Sequence, residues 1–294
     1  MINEDSGENI IIDMSKIKSE VEKKIHSSTK HGQLDLRDEK YLNTGIPGFD
    51  ELLDRGIPKG SNVIVVGGAG SGKTIFCLQI LAHHAKSGKK CLFMSFEETV
   101  EQLIEHMKDF GWEPEKLIES SNLNIQRFLT SDIYYDGKIG GGEEINAMIA
   151  KDSDSLLMDL KPLTITEKVG FKPDVVILDS LSSVASTFVG KEQSYRFYVE
   201  RLFRFFKQIG ATTFLITEIP ESMGVYSKSG VEEFLADGVV VLYNIRSGNI
   251  RESALEILKM RGTKHQKKIV AMQITDHGIK VYPNLEVFGD LNKK

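Results

Sequence analysis

The sequence predicts an α/β fold: a mainly parallel sheet covered by helices on both faces and continued on its C-terminal side by antiparallel strands. Three observations carry this. Short apolar runs alternate with amphipathic stretches from Tyr41 onward, as successive βα units do. A glycine-rich octet separates the first strand-like run from the first helix-like stretch. After Asp237 the helical stretches stop and strand follows strand.

Taken in order, residues 10–25 alternate charges with Ile12, Ile17, Val21 and Ile25, the pattern of a short amphipathic helix, and a polar linker follows over residues 26–38. Strands are expected at residues 62–66, 91–96, 175–179 and 212–217, and helices at 74–86, 99–110 and 192–209. The closing strands fall near residues 239–243, 254–260, 269–274 and 279–281, with the turn Asp276-His277-Gly278 supplying hairpin chemistry. Residues 130–171 break this rhythm with Tyr134-Tyr135-Asp136-Gly137 and Gly140-Gly141-Gly142. A crossover carrying its own helix at 143–158 and a loop for a substrate or partner both fit a connection this long.

Composition narrows the function classes. A chain of 294 residues, 40% hydrophobic, suffices for one large core, so a single main domain is expected. The net charge of −5 gives no global attraction to nucleic acid or anionic membrane, so such binding would need a local patch. No apolar run approaches the roughly 18 residues of a membrane span, and the acidic start is unlike a signal peptide, so a cytoplasmic protein is expected. Cys77 and Cys91 read as small core residues in a reducing compartment.

The octet Gly67-Gly68-Ala69-Gly70-Ser71-Gly72-Lys73-Thr74 fits G-x-x-x-x-G-K-[ST] throughout and lies between a strand-like run and a helix-like stretch opening at Ile75. Glycines let backbone N–H groups turn toward an anion, and a helix N-terminus complements its charge. In that setting Lys73 would neutralise the β- and γ-phosphates of a nucleoside triphosphate and Thr74 would ligate Mg²⁺. The apolar run Val175-Val176-Ile177-Leu178 ends in Asp179, a second carboxylate-bearing strand end suited to the Mg²⁺ shell. Glu97 and Glu98 follow the strand at 91–96 and fit the activation of a water nucleophile. They also fit N-terminal acids stabilised by the dipole of the next helix. Glu218 ends the strand at 212–217 on the same sheet edge, placed to sense phosphate or order water.

Lys259, Arg261, Thr263 and His265 recur at every second residue, which puts them on one face if the segment is extended. Cations and hydrogen-bond donors in a row suit a triphosphate, presented by a neighbouring subunit in the manner of an arginine finger. A solvated edge strand would show the same alternation.

Together with Thr44-Gly45-Ile46-Pro47-Gly48-Phe49-Asp50-Glu51-Leu52-Leu53, Phe96-Glu97-Glu98-Thr99, Leu178-Asp179-Ser180-Leu181, Gly230-Val231-Glu232-Glu233-Phe234, Asp237-Gly238 and Lys259-Met260-Arg261-Gly262-Thr263-Lys264-His265, these residues resemble a KaiC-type domain of the RecA superfamily. The resemblance implies a RecA-like P-loop NTPase core over residues 41–285, preceded by a segment at 1–40 and followed by a tail at 286–294. It also implies ATP with Mg²⁺ bound between subunits of a homohexameric ring, paired glutamates that activate water, and a segment from Lys259 through Met260 to His265 that reaches the adjacent subunit's ATP, joined by Asp276. Glu232-Glu233 stand where the clock protein's C-terminal repeat has phosphorylated Ser and Thr, so the chain resembles the ATPase half, and autophosphorylation there is not expected. Single-domain members of this kind are frequent in archaea, which suggests an archaeal source.

Two other readings stand beside a slow regulatory ATPase. Recombinases share the RecA core and bind single-stranded DNA, and residues 192–209 interleave Arg196, Arg201, Arg204 and Lys207 with aromatics. Yet Tyr195, Tyr198, Val199, Leu202, Phe206 and Ile209 recur at helical spacing, as a core stripe does. Lys264, Lys267 and Lys268 form a second local basic cluster. The other reading is an ATP-gated platform for an unknown protein partner with negligible hydrolysis, against which Glu97 and Glu98 argue.

Overall fold

The computed structural model describes residues 40–128, 170–190, 192–218, 232–247 and 250–287, all within the compact unit Lys40–Lys294. The expected N-terminal helix, nearly all of residues 130–171, and Gly230 and Val231 lie outside the described residues.

In chain order the strands are β1 (Tyr41–Leu42), β2 (Ile57–Pro58), β3 (Asn62–Gly67), β4 (Cys91–Ser95), β5 (Leu123–Arg127), β6 (Val175–Asp179), β7 (Thr212–Glu218), β8 (Gly238–Ser247), β9 (Ile250–Met260), β10 (Val270–Thr275) and β11 (Gly278–Glu286). The α-helices are α1 (Lys73–Lys86), α2 (Val100–Asp109), α3 (Pro114–Glu119), α4 (Leu181–Ala185), α5 (Glu192–Ile209) and α6 (Glu232–Leu235). Strands β1 and β2 pair with each other, and the rest form one sheet in the order β11-β10-β9-β8-β3-β7-β6-β4-β5.

The stretch from β8 to β5 is parallel, and β9, β10 and β11 extend it antiparallel. This corrects one detail. The strand expected near residues 239–243 was grouped with the antiparallel extension, whereas β8 runs parallel to β3, with Val63 beside Gly238 and Gly67 beside Leu242. The run Val239-Val240-Val241-Leu242 is buried on both faces, the signature of a parallel core strand, and the direction reverses only at β9. The hairpin turn at Asp276-His277 joins β10 to β11, with Thr275 paired to Gly278.

Alternation along the strands divides the interior into two layers. Val63, Val65, Phe93, Val175, Ile177, Phe214 and Ile216 join the cluster that contains Phe76, Ile80, Leu81, Leu103 and Met107 from α1 and α2. Ile64, Val66, Leu92, Met94, Val176, Leu178 and Leu215 join the opposite cluster, with Tyr195, Tyr198, Val199, Leu202, Phe206 and Ile209 of α5. The helical stripe of α5 is therefore core. Of its cations, Arg204 pairs with Glu200 and Lys207 with Asp237.

The short elements β1, β2, β5, α3, α4 and α6 are not among those the sequence predicts. Helix α3 opens with Pro114 at its first turn, where the missing N–H costs nothing, and β5 adds an edge strand beside β4. Cys77 and Cys91 are free thiols buried in the core.

One polar contact inside the first layer ties α1 to the sheet extension. The Gln79 amide donates to Ile279 O at 3.1 Å and accepts from Ile279 N at 2.6 Å, closing a buried two-bond clamp. Gly278, at φ +107°, permits this approach, because a Cβ there would stand 2.5 Å from Gln79 Oε1 and 2.7 Å from Trp112.

Candidate active site

The parallel strands β3, β4, β6 and β7 deliver their C-terminal ends to one edge of the sheet, where open α/β folds bind ligands. At β3 the chain enters Gly67 to Thr74. Gly72 stands at φ +94° immediately before α1, a conformation that side-chain-bearing residues rarely adopt. Gly67 has no room for a side chain: a Cβ would lie 2.4 Å from Ser71 Oγ and 2.6 Å from Leu242 O. Residues Gly68, Ala69 and Gly70 carry the chain over the turn, with Ser71 N donating to Gly68 O at 3.3 Å.

The opening turn of α1 leaves its leading N–H groups without intrahelical partners, a ready anion site. The hydroxyl of Ser71 is buried with no partner among the described residues. Lys73, only 7% exposed, donates from Nζ to Gly68 O at 2.9 Å and faces Glu218 Oε1 at 3.3 Å. A carboxylate thus opposes the Lys73 ammonium at the mouth of the loop.

Thr74 Oγ1 donates to Asp179 Oδ2 at 2.9 Å. Burial, together with the nearby charges of Glu97 and Glu98 and against the Thr74 hydrogen bond, pushes the Asp179 carboxyl up to about 7. A buried carboxylate surrounded by like charge is short of a cation. A hydroxyl and a carboxylate are hard oxygen donors, and Mg²⁺ bound by one or two side chains plus phosphates and waters fits this pair.

Glu97 and Glu98 occupy different settings although adjacent. Ser95 Oγ donates to Glu98 O at 2.6 Å and Phe96 N to Asp179 O at 2.6 Å, which shapes the turn after β4. From that turn Glu97 reaches α4, where its Oε1 accepts from Ser180 Oγ and, at 2.8 Å, from Ser183 Oγ. Glu98 turns toward α2, where His106 Nδ1 lies 3.3 Å from its Oε2. Both glutamates precede α2, whose N-cap is Thr99 in a capping box with Gln102, so neither is a first-turn acid of that helix.

These groups line a cleft of about 470 Å³ formed by Gly70, Gly72, Lys73, Thr74, Ile75, Glu97, Glu98, His106, Asp109, Phe110, Asp179, Glu218 and Ile274. Its size lies in the range of small-molecule sites. The sequence reading missed His106, Asp109, Phe110 and Ile274. The first three share a helix face at i, i+3, i+4 spacing, offset from the core positions Leu103 and Met107, and that offset was the available signal.

Lys259, Met260, Arg261, Thr263, His265 and Asp276 are not in the cleft lining of the single chain. Lys259 Nζ donates to Ala236 O at 2.7 Å, Glu233 O at 3.0 Å and Phe234 O at 3.4 Å. Desolvation, then the neighbouring Arg261, lower its pKa. Arg261 is exposed, donates to Phe234 O at 3.4 Å and stands 3.8 Å from Asp237. Met260 is buried. The expected single extended face does not form, because β9 ends at Met260 and the chain turns at Arg261-Gly262, with Gly262 at φ +82°. Thr263 and His265 follow that turn, His265 pairing with Leu53. Asp276 is exposed on the β10–β11 hairpin.

A family model described as ATPase: KaiC matches residues 42–286. The chain belongs to the KaiC ATPase family. The circadian clock oscillator protein KaiC of Synechococcus elongatus is 35% identical over 249 residues, which cover 82% of this chain and 44% of that relative. KaiC of Acaryochloris marina is 33% identical over 82% of this chain and 43% of its own length. The chain thus spans under half the length of these relatives. Among solved structures, a KaiC-like protein from the hyperthermophilic archaeon Pyrococcus horikoshii OT3 is similar at a TM-score of 0.65 and 30% identity, covering 83% of this chain and 99% of that one. The fold is accordingly KaiC-like and RecA-type, with the antiparallel extension on its C-terminal side.

Proposed function

We propose that this KaiC-family chain hydrolyses ATP slowly, with Mg²⁺, at sites completed by neighbouring subunits of a ring, a hexamer by family resemblance. The observation that carries the composite site is the charge of the cleft. Its lining holds the carboxylates of Glu97, Glu98, Asp109, Asp179 and Glu218 against one permanent cation, Lys73. A triphosphate added to that surface needs more positive charge than Mg²⁺ and Lys73 bring. Lys259 and Arg261, outside the cleft of their own chain, would supply it from the adjacent subunit, with Met260, Thr263, His265 and Asp276 completing the contact.

In this reading the loop from Gly67 to Ser71, with Gly72 and Ile75 at the helix start, wraps the phosphates, and Lys73 exchanges Glu218 for phosphate oxygen. Thr74 and Asp179 hold Mg²⁺, which would neutralise developing phosphate charge. Glu97 and Glu98 take the proton of the attacking water, and Lys259 and Arg261 stabilise charge on the transferred phosphoryl group. Glu232 and Glu233 carry no hydroxyl, and Glu232 is buried against Tyr195 OH at 2.6 Å, so this position is not a phosphorylation site. Hydrolysis at this pace suits a regulatory or signalling role better than bulk turnover.

The test is steady-state ATP hydrolysis alongside nucleotide affinity. Glu97→Gln with Glu98→Gln should lower kcat at least about 100-fold while affinity stays within about threefold, since general-base catalysis contributes on that order. Loss of nucleotide binding instead would make these carboxylates structural, and an unaltered chain that binds ATP without hydrolysing it would favour the platform reading.

A further inference from the structure

The two glutamates that follow β4 are anchored unequally. Glu97 accepts from Ser180 and Ser183, hydroxyls on the turn that also carries Asp179, so it is fixed to the metal-bearing strand end. Both donors fall on Oε1. Among the described residues Glu98 has no such pair of hydroxyls; its carboxylate meets the His106 imidazole, Nδ1 to Oε2 at 3.3 Å. Three carboxylates, Glu97, Glu98 and Asp179, crowd one corner, and their mutual repulsion helps push Asp179 up. Without an opposing donor Glu98 would swing toward solvent, since it is the one of the three on the α2 side of the cleft. His106 Nδ1 stands where such a donor is needed.

The position of His106 is itself well determined. The Thr99/Gln102 capping box fixes where α2 begins, with Thr99 N donating to Gln102 Oε1 at 2.9 Å and Gln102 N to Thr99 Oγ1 at 3.3 Å. Leu103 and Met107, fully buried, fix its rotation. His106 is thereby turned to the cleft wall, where it lines the site with Asp109 and Phe110.

We propose that His106 is a positioning residue for hydrolysis, holding the Glu98 carboxylate in the cleft so that Glu98 serves as the base while Glu97 stays anchored to the metal-bearing turn. The inference rests on the ATPase reading of the same cleft. It divides labour between two residues that the sequence presents as equivalent, and it does not require His106 to touch nucleotide.

The experiment compares kcat and KM for Mg-ATP in the full chain, His106→Ala and His106→Asn, because an Asn amide places an N–H where Nδ1 stands. His106→Ala should lower kcat about tenfold with KM within about twofold, as loss of orientation does. His106→Asn should return kcat to within about threefold of the unaltered chain, a rescue that a space-filling role would not produce. Unchanged kcat in His106→Ala, an equal loss in both variants, or a loss confined to KM overturns the proposal. An unaltered chain that binds ATP but never hydrolyses it brings down the ATPase reading and this inference together; an active chain indifferent to position 106 brings down this inference alone.

Discussion

Replacing Asp179 with Asn separates the stability of the empty site from its function. Asp179 is 5% exposed and its carboxyl is pushed from 3.8 up to about 7, mainly by burial. A carboxyl raised in the folded state binds more protons there than in the unfolded chain, so its contribution to stability is full below pH 3.8 and is lost as pH rises through about 7. About 3 units at 1.36 kcal/mol each make the ionised carboxylate a burden of about 4 kcal/mol at pH 8, and about half that at pH 5.5. Asp179→Asn keeps an acceptor for Thr74 Oγ1 and removes the charge. In EDTA at pH 8 the variant should therefore unfold at a temperature higher by about 8–16 °C, with the gain about halved at pH 5.5. Excess Mg-ATP should raise the melting temperature of the unaltered chain and raise that of the variant far less, because on the proposed reading the Asp179 charge holds Mg²⁺. Thermal unfolding by circular dichroism, with and without Mg-ATP at both pH values, reads all of this. A variant less stable than the parent in EDTA at pH 8 would refute the reasoning, since Lys73 and Thr74 would then be holding Asp179 as a favourable anion.

Two further outcomes follow from named contacts. Gln79→Leu leaves Ile279 N–H and C=O buried without partners, so unfolding free energy should fall by about 2–4 kcal/mol, and an unchanged denaturation midpoint would show that the clamp contributes nothing. Lys73→Ala and Arg261→Ala should each be inactive alone, yet an equimolar mixture should recover about a quarter of the parental rate, because a composite site then finds both intact halves at about one interface in four. No recovery after co-assembly would place Arg261 in its own subunit's site or outside catalysis.

Much of this was legible because the relevant residues lie at strand ends or in a contiguous motif. Gly67 to Thr74 announces itself through residue types that the backbone demands, as Gly72 at φ +94° shows. Asp179 ends an apolar run, and the stripe of α5 was readable as core from its spacing. The direction of β8 was legible in principle, since the unbroken apolar run Val239 to Leu242 is the pattern of a buried parallel strand, but the succession of strands after it masked that signal. Element β5 was missed because Leu123-Asn124-Ile125 offers only a brief alternation. His106 escaped because helix spacing marks only a face offset from Leu103 and Met107, while what that face meets depends on how α2 folds back against the turn after β4. The face imagined for Lys259, Arg261, Thr263 and His265 failed at Gly262, a glycine whose turn-forming capacity was itself a warning.

The failure of that face sharpens the case for a shared site. Lys259 is fixed by the carbonyls of Glu233, Phe234 and Ala236, in and just after α6. Asp237 is shared between Lys207 at 3.0 Å and Arg261 at 3.8 Å, and its other oxygen accepts from Asn62 N. Glu233, a further acid near Lys259, has its carboxyl pushed up by burial and by Glu232, with Lys259 opposing. Lys207, Arg261 and Lys259 thus gather around Asp237 on one surface of the described residues. A basic patch and an acidic cleft on different parts of one chain would suit the proposed heterologous contact, the kind that closes into rings when its rotation permits. Because α6 and β9 already hold Lys259 and Arg261, little side-chain entropy remains to be lost on assembly, so docking would deliver two preorganised cations to a triphosphate that its own subunit leaves under-neutralised.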